Sequence, residues 1–88
     1  MYRIIYRKKT KKDFKVLASE KALMNKFLEV KKLIEKDPYA YPPAFEIMTG
    51  DMDNVISRRL SIKHRLVYTV DETNREIIIH SIASHYEF

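Results

Sequence analysis

The sequence predicts one α+β domain, residues 1–88, in which two N-terminal helices pack on one face of a mainly antiparallel sheet. The chain has the length of a single small domain. Apolar residues recur at helical spacing only before residue 37, and β-rich runs lie at the N-terminus and after residue 54. The resulting order, β-α-α-β-β-β, is satisfied most simply when both helices cover the same sheet face.

The first strand is predicted at Tyr2–Arg7, a run rich in β-forming side chains. A short helix is expected to begin at Thr10, because Thr10 and Asp13 have the spacing of a capping box variant. The buried face of this helix would consist of Phe14, Leu17 and Ala18.

The second helix is predicted to be capped by Ser19 and to end near Lys36, because Pro38 disfavours helical backbone at the residue before it. Spacings of three and four residues relate its apolar side chains, which are Leu23, Met24, Phe27, Leu28, Val30, Leu33 and Ile34.

Residues 37–54 contain all three prolines and the only glycine, which predicts a long loop packed on the body of the domain. Three strands are expected after this loop, separated by two short turns. They are Val55–Leu60, His64–Val70 and Glu76–Ile82.

The composition excludes several classes of protein and site. The chain has no cysteine, so disulfides and thiolate metal sites are excluded. It has no apolar run of about 18 residues that could span a membrane, and its N-terminus lacks the apolar core of a signal peptide, so a cytoplasmic location is expected. With Gly50 as the only glycine there is no Gly-rich phosphate loop, and the histidine spacing gives no metal signature, so no cofactor is expected.

Positive charge is concentrated in the first part of the chain. Residues 1–36 hold twelve Lys/Arg against four Asp/Glu, a net charge of +8, whereas residues 37–88 have a net charge of −3. Such a field favours binding to nucleic acid or to an acidic protein. The alternative is a lysine-rich helix surface that only faces solvent.

Three arginines lie on the two central predicted strands. Strand alternation places Leu66 and Tyr68 towards the helices and Arg65 on the open sheet face. Arg58 and Arg59 point to opposite faces, so one of them joins Arg65, and the sequence leaves open which one. Two guanidiniums on one face predict a phosphate site, because a planar guanidinium binds phosphate in bidentate fashion. The alternative is pairing with loop carboxylates such as Asp51 or Asp53.

Two further side chains could move protons. Glu46 lies in an apolar loop segment, where partial desolvation would make it a better base; the alternative is an ordinary carboxylate facing solvent. His85 is exposed by position, titrates near neutrality and could protonate a leaving alkoxide, while Tyr86 beside it could stack on a base. His64 and His80 are interpreted as structural.

The chain resembles the YoeB/Txe toxins of the RelE superfamily, the mRNA-cleaving half of bacterial toxin–antitoxin pairs. The resemblance covers nearly the whole sequence, with three departures: Thr49, Ile56, and the residues Glu87-Phe88 after His-Tyr. It is strongest at Tyr41-Pro42-Pro43, Phe45-Glu46, Ser57–Leu60, His64–Tyr68 and His85-Tyr86.

The resemblance implies a RelE-like fold and a metal-independent, ribosome-dependent endoribonuclease that cleaves mRNA. It implies Glu46 as general base, Arg59 and Arg65 as phosphate-binding residues, His85 as general acid, and Tyr86 as the aromatic that places the substrate. It also implies the ribosome, mRNA and an acidic YefM-like antitoxin as partners. The oligomeric state stays open, with a homodimer as one option.

Two alternatives belong to other functional classes. One is a non-catalytic toxin of the same RelE/ParE fold that inhibits its target by binding, and the other is a basic nucleic-acid-binding module. Binding alone requires neither an acid nor a base, so the joint presence of Glu46, Arg65 and His85 favours the enzyme.

Overall fold

The computed structural model describes residues 1–48 and 54–85, and for Ser84 and His85 it describes the backbone. The α+β class predicted from the sequence is confirmed. The elements in chain order are β1 (Arg3–Tyr6), a 3-10 turn (Lys8–Thr10), α1 (Lys11–Ser19), α2 (Lys21–Lys36), β2 (Phe45–Met48), β3 (Val55–Arg59), β4 (His64–Asp71) and β5 (Glu76–His85).

The five strands form one mixed sheet in the order β1-β5-β4-β3-β2. The pairings β2–β3, β3–β4 and β4–β5 are antiparallel, and β1 pairs with β5 in parallel. Tyr2 N–H donates to the Glu35 carbonyl at 2.8 Å, which ties the start of β1 to the end of α2. Neither helix in the described part of the chain has the length and apolar character that crossing a membrane requires.

Strand β2 corrects the sequence-based prediction, which assigned all of residues 37–54 to a loop. Phe45–Met48 pairs with Val55–Arg59 at the edge of the sheet. Buried and exposed positions do not alternate along β2, because the neighbouring residues Glu46 and Ile47 are both exposed. Periodicity therefore could not predict a strand in this segment. Residues 49–53 lie outside the described part of the chain.

The predicted start of the first helix at Thr10 is confirmed, because Thr10 is the N-cap residue of α1, but its side chain makes no capping hydrogen bond. The prediction that Ser19 caps the second helix is wrong, because Glu20 is the N-cap residue of α2. The Thr10 hydroxyl donates to the Arg7 carbonyl at 2.6 Å and thereby closes the 3-10 turn. Ser19 ends α1, where its hydroxyl donates to the Val16 carbonyl at 2.8 Å. Asp13 instead accepts a hydrogen bond from the Ile82 backbone N–H at 3.1 Å. Its carboxylate therefore binds β5 rather than the first turn of its own helix.

The core lies between the two helices and one sheet face. Leu66 and Tyr68 are fully buried on that face, as the alternation of β4 predicts. Helical periodicity also predicts most of the α2 core, although Leu28 is 46% exposed. On α1, Leu17 is buried and Ala18 is exposed. The remaining buried apolar residues of this cluster are Leu23, Phe27, Val30, Ile34, Ile56, Leu60, Ile77, Ile79 and Ile82.

Arg58 is a charged residue inside this core, with 1% of its surface exposed. Its Nε donates to the Tyr68 hydroxyl at 2.9 Å, and its terminal nitrogens donate to the carbonyls of Pro43 at 2.8 Å, Ala40 at 2.8 Å and Pro38 at 3.2 Å. Burying a cation is costly unless its donors are satisfied. Here the loop that precedes β2 accepts the hydrogen bonds of the terminal nitrogens, and Tyr68 on β4 accepts that of Nε.

Two neighbouring groups complete the surroundings of Arg58. The guanidinium lies over the Phe45 ring, 4.6 Å from its centroid. The Tyr68 hydroxyl donates in turn to the Pro38 carbonyl at 2.6 Å. Burial raises the pKa of Tyr68, and its hydrogen bond with Arg58 acts in the opposite direction. The predicted ordered loop is thus held by backbone carbonyls that point at one buried side chain.

Replacing Arg58 by Met should lower the free energy of unfolding by about 2–4 kcal/mol, because it leaves several buried carbonyls without a donor. The matched control is Arg59→Met, which removes an exposed guanidinium on the same strand and should change stability by less than about 0.5 kcal/mol. Urea denaturation of both variants provides the comparison. Equal losses in the two variants would contradict a special role for the buried arginine.

Candidate active site

The register of β3 on β4 resolves the choice between the two neighbouring arginines. Arg59 lies opposite Arg65, and Arg58 lies opposite Leu66. Directly opposed residues share a sheet face. Arg59 and Arg65 therefore lie on the face away from the helices, whereas Arg58 points into the core.

The turn between these strands fixes that register. The backbone N–H groups of Leu60 and Ser61 donate to the His64 carbonyl at 2.9 and 3.2 Å. The Ser61 hydroxyl accepts from the N–H groups of Lys63 and His64 at 3.2 and 3.1 Å. These hydrogen bonds hold the two ends of the short turn together, which disfavours any other register between β3 and β4.

Glu46 joins the same face through β2, where it lies opposite Ser57. Its Oε1 is 3.6 Å from Nη2 of Arg65, which is an ion pair rather than a direct hydrogen bond. The side chain of Glu46 is 62% exposed and that of Arg65 is 8% exposed. The expectation of a partly desolvated carboxylate is therefore wrong, because β2 is an edge strand and Glu46 faces solvent.

A cavity of about 340 Å³ brings three of the predicted residues together. One wall comes from the loop held by Arg58 and the floor comes from the open sheet face. The lining residues are Pro43, Ala44, Phe45, Glu46, Ser57, Arg59 and Arg65.

Ser57 is a component of this cavity that the sequence reasoning missed. It is fully buried, and its hydroxyl accepts a long hydrogen bond of 3.5 Å from Nη1 of Arg65. Its position two residues before Arg59 on one strand was the available signal, because residues i and i+2 share a face.

The electrostatics of the cavity favour an anion. Arg59 and Arg65 are two cations on adjacent strands, and directly opposed like charges destabilise a sheet. Glu46 offsets this repulsion only in part, at 3.6 Å and from an exposed position. Asp51 and Asp53, the alternative partners, lie outside the described residues. A phosphate between the guanidiniums would relieve the repulsion through charge-assisted hydrogen bonds.

The predicted general acid lies at the end of β5. The His85 backbone pairs with His64, and the preceding pair is Ser84 with Arg65. Directly opposed residues share a sheet face, so Ser84 is the residue of β5 that lies across from Arg65, and His85 lies across from His64, the neighbour of Arg65 on β4. Tyr86 lies outside the described residues, as do Thr49, Glu87 and Phe88.

The other two histidines make structural contacts, as predicted. Nδ1 of His64 is 3.0 Å from the Ser61 hydroxyl in the turn before β4. Nε2 of His80 is 2.9 Å from the Thr69 hydroxyl, which links β5 to β4. Burial lowers the pKa of His80, and the nearby positive charges of Arg7 and Lys9 lower it further.

Comparison with known proteins gives a family match and several fold matches. The model of a family described as the YoeB-like toxin of bacterial type II toxin-antitoxin systems matches residues 3–86. No curated protein sequence matches the chain significantly.

Solved structures cover nearly the whole chain. A YoeB/ParE toxin from Agrobacterium tumefaciens has a TM-score of 0.84 at 21% identity, a likeness of fold, with 96% of this chain and 99% of that chain covered. The YoeB dimer from Staphylococcus aureus has a TM-score of 0.81 at 29% identity, with 97% and 98% covered. RelE from the archaeal RelE-RelB complex of Pyrococcus horikoshii has a TM-score of 0.69 at 28% identity, with 93% and 92% covered.

The depressed pKa of His80 predicts a pH dependence of stability. The unfolded chain takes up a proton near the ordinary histidine value of 6.5, before the folded protein does. Stability should therefore be greatest above that value and should fall as the pH drops from about 7 towards 5. His80→Gln keeps a group that can bond Thr69 but does not titrate, so it should flatten this fall in urea denaturation. Parallel pH curves for the two proteins would contradict the prediction.

Proposed function

The chain belongs to the YoeB-like toxins of bacterial type II toxin-antitoxin systems, and we propose that it is an endoribonuclease that cleaves mRNA on the ribosome in the cytoplasm. The observation that carries the proposal is the cavity in which Glu46, Arg59 and Arg65 meet. It combines a candidate base with two cations that could bind a phosphate. A protein that only binds RNA has no need of a carboxylate among its cations.

The reaction would begin at the ribose 2′-hydroxyl. A phosphate held by Arg65 would lie beside Glu46, because the guanidinium and the carboxylate are 3.6 Å apart. The 2′-hydroxyl adjacent to that phosphate then comes within reach of the carboxylate. Glu46 takes the proton, and the 2′-oxygen attacks the phosphorus. The solvent exposure of Glu46 allows the substrate to approach it directly.

The arginines would stabilise the negative charge that grows on the phosphoryl oxygens. Arg65 is almost fully buried and contacts Ser57, so its guanidinium is held in place before the substrate arrives. Donors that are preorganised in this way contribute about 3–4 kcal/mol to transition-state stabilisation. Arg59, on the opposing strand, is exposed and would supply a second, more mobile contact.

The leaving group would be protonated by His85. The bond between phosphorus and the 5′-oxygen breaks, and the His85 imidazolium donates its proton to that oxygen. Tyr86, the next residue, would place the substrate by stacking on a base. The products are a 2′,3′-cyclic phosphate on the upstream fragment and a 5′-hydroxyl on the downstream fragment. The two proton carriers and the charge-stabilising groups are all protein side chains, so the proposed mechanism uses no metal ion.

The proposed protein partner is an acidic, YefM-like antitoxin. The YoeB of Staphylococcus aureus forms a complex with YefM, and the archaeal RelE forms one with RelB. The net charge of +8 over residues 1–36 would attract an acidic segment of such a partner. A homodimer is a further proposed assembly, since the Staphylococcus aureus YoeB is also described as a dimer.

The proposed chemistry predicts the ends of the RNA fragments. Programmed ribosomes, kept intact by polyamines while EDTA removes free divalent ions, should still be cut, because no step uses a metal. End-labelling of the downstream fragment should reveal a 5′-hydroxyl. A 5′-phosphate, or an absolute requirement for an added transition metal, would falsify the mechanism. Inhibition of translation without RNA cleavage would favour a toxin that acts by binding.

The roles also predict an order among variants in single-turnover cleavage. Arg65→Ala should be the most damaging, with a loss of about 10²–10³-fold or more, because its guanidinium meets the transition-state charge. His85→Gln should slow cleavage by about 10²-fold, less than Arg65→Ala, and leave folding intact. Glu46→Gln should be less damaging, because water or a ribosomal group could accept the proton.

The matched control for these variants is Lys63→Ala, which removes an exposed cation from the turn between β3 and β4 and should leave the rate unchanged. Melting temperatures separate folding defects from catalytic ones. A folded His85→Gln protein with full activity would eliminate His85 as the acid.

A further inference from the structure

A second cavity, of about 510 Å³, lies between α1 and the far half of β5. We call it the α1–β5 cleft and define it by Lys9, Lys12, Asp13, His64 and His80, which are among the residues that line it. None of these residues has a role in the proposed reaction.

The cleft exists because β1 is short. β1 pairs with β5 only as far as Tyr6 opposite Ile79, after which the chain turns away through the 3-10 turn into α1. The edge of β5 beyond Ile79 therefore faces α1 instead of a strand. Asp13 bridges the gap by accepting the Ile82 N–H at 3.1 Å, and this hydrogen bond partly occupies its carboxylate.

The charge around the cleft is predominantly positive. Lys9 and Lys12 are both exposed, and within the described residues neither forms an ion pair. Among residues 1–48 and 54–85, Asp13 is the one carboxylate that lines the cleft. Two ammonium groups beside one hydrogen-bonded carboxylate give the cleft a positive potential.

His80 is a mostly buried residue that lines the same cleft. Its Nε2 contacts the Thr69 hydroxyl, and in residues 1–48 and 54–85 its Nδ1 makes no hydrogen bond. Across that same part of the chain, no buried side-chain nitrogen or oxygen lacks a partner, so Nδ1 keeps some solvent-accessible surface on a residue that lines the cleft. When Nε2 accepts the Thr69 hydroxyl proton, Nδ1 carries the hydrogen and can donate it to an anion.

We propose that the α1–β5 cleft binds a phosphodiester group of RNA, held by Lys9, Lys12 and the Nδ1–H of His80. The identification of the anion as RNA rests on the proposed function. The position agrees with it, because His64, which lines the cleft, is the neighbour of Arg65 on β4. The bound phosphate could belong to the mRNA being cut or to ribosomal RNA.

The test compares two double variants of equal charge. Lys9→Gln/Lys12→Gln removes the ammonium groups of the cleft, and Lys15→Gln/Lys21→Gln removes two exposed ammonium groups that do not line it. Binding is measured against salt concentration in two arms. One arm uses a labelled 12-nucleotide oligouridylate, and the other uses small ribosomal subunits without mRNA.

The cleft variant should weaken binding in at least one arm and lower the slope of log affinity against log salt by about 0.7–1 per lost phosphate contact. The arm affected identifies the source of the phosphate. The control variant should change both quantities less. Equal changes for the two variants in both arms would overturn the proposal, because they would indicate a diffuse field rather than a site.

A direct measurement follows the ring C–H signals of His80 by NMR at constant pH. Addition of the oligouridylate or of the subunits should shift them in the unmodified chain and not in the cleft variant. Identical shifts in both proteins would overturn the proposal. Because these are binding measurements, they are independent of cleavage: failure of the unmodified chain to cut mRNA would refute the proposed function and leave the cleft proposal standing.

Discussion

The hydrogen bonding of the buried Arg58 guanidinium is the constraint on which the rest of the site depends. A cation in an apolar core is stable only where oxygens converge on it, and here three of the four acceptors are carbonyls of residues 38–43. The segment before β2 is thereby fixed against the sheet. Glu46 comes three residues after Pro43, so the position of the candidate base follows from a side chain that never touches substrate.

Because successive side chains of a strand point to opposite sheet faces, the two adjacent arginines of β3 have different surroundings. Arg58 is enclosed by the loop and the core, and Arg59 lies beside Arg65 on the open face. The same division separates Leu66, which packs under the helices, from Arg65, which faces the cavity. Core positions and positions on the open face therefore alternate along both strands, so the same two strands build the core and the charged cavity.

Much of the fold follows from periodicity. The three- and four-residue spacing of apolar side chains predicts α2, and the alternation along β4 predicts which residues meet the helices. Periodicity does not predict those features of the structure that long-range contacts determine. Nothing local marks Phe45–Met48 as a strand, because β3 supplies its hydrogen bonds. Nothing local distinguishes Arg58 from Arg59 either, because the register of β3 on β4 depends on a turn whose geometry the sequence does not specify. The exposure of Glu46 follows from its edge strand and could not be deduced from apolar neighbours.

The β3–β4 turn ties the correct fold and the charged cavity to the same strand register. A slip of one residue in strand pairing transfers every side chain of a strand to the opposite face. In β3 that slip would place Arg59 in the core and Arg58 in solvent. The loop before β2 would lose its hydrogen bonds to Arg58, and the cavity would lose the Arg59 cation. A misregistered molecule would therefore lose its shape and its chemistry together.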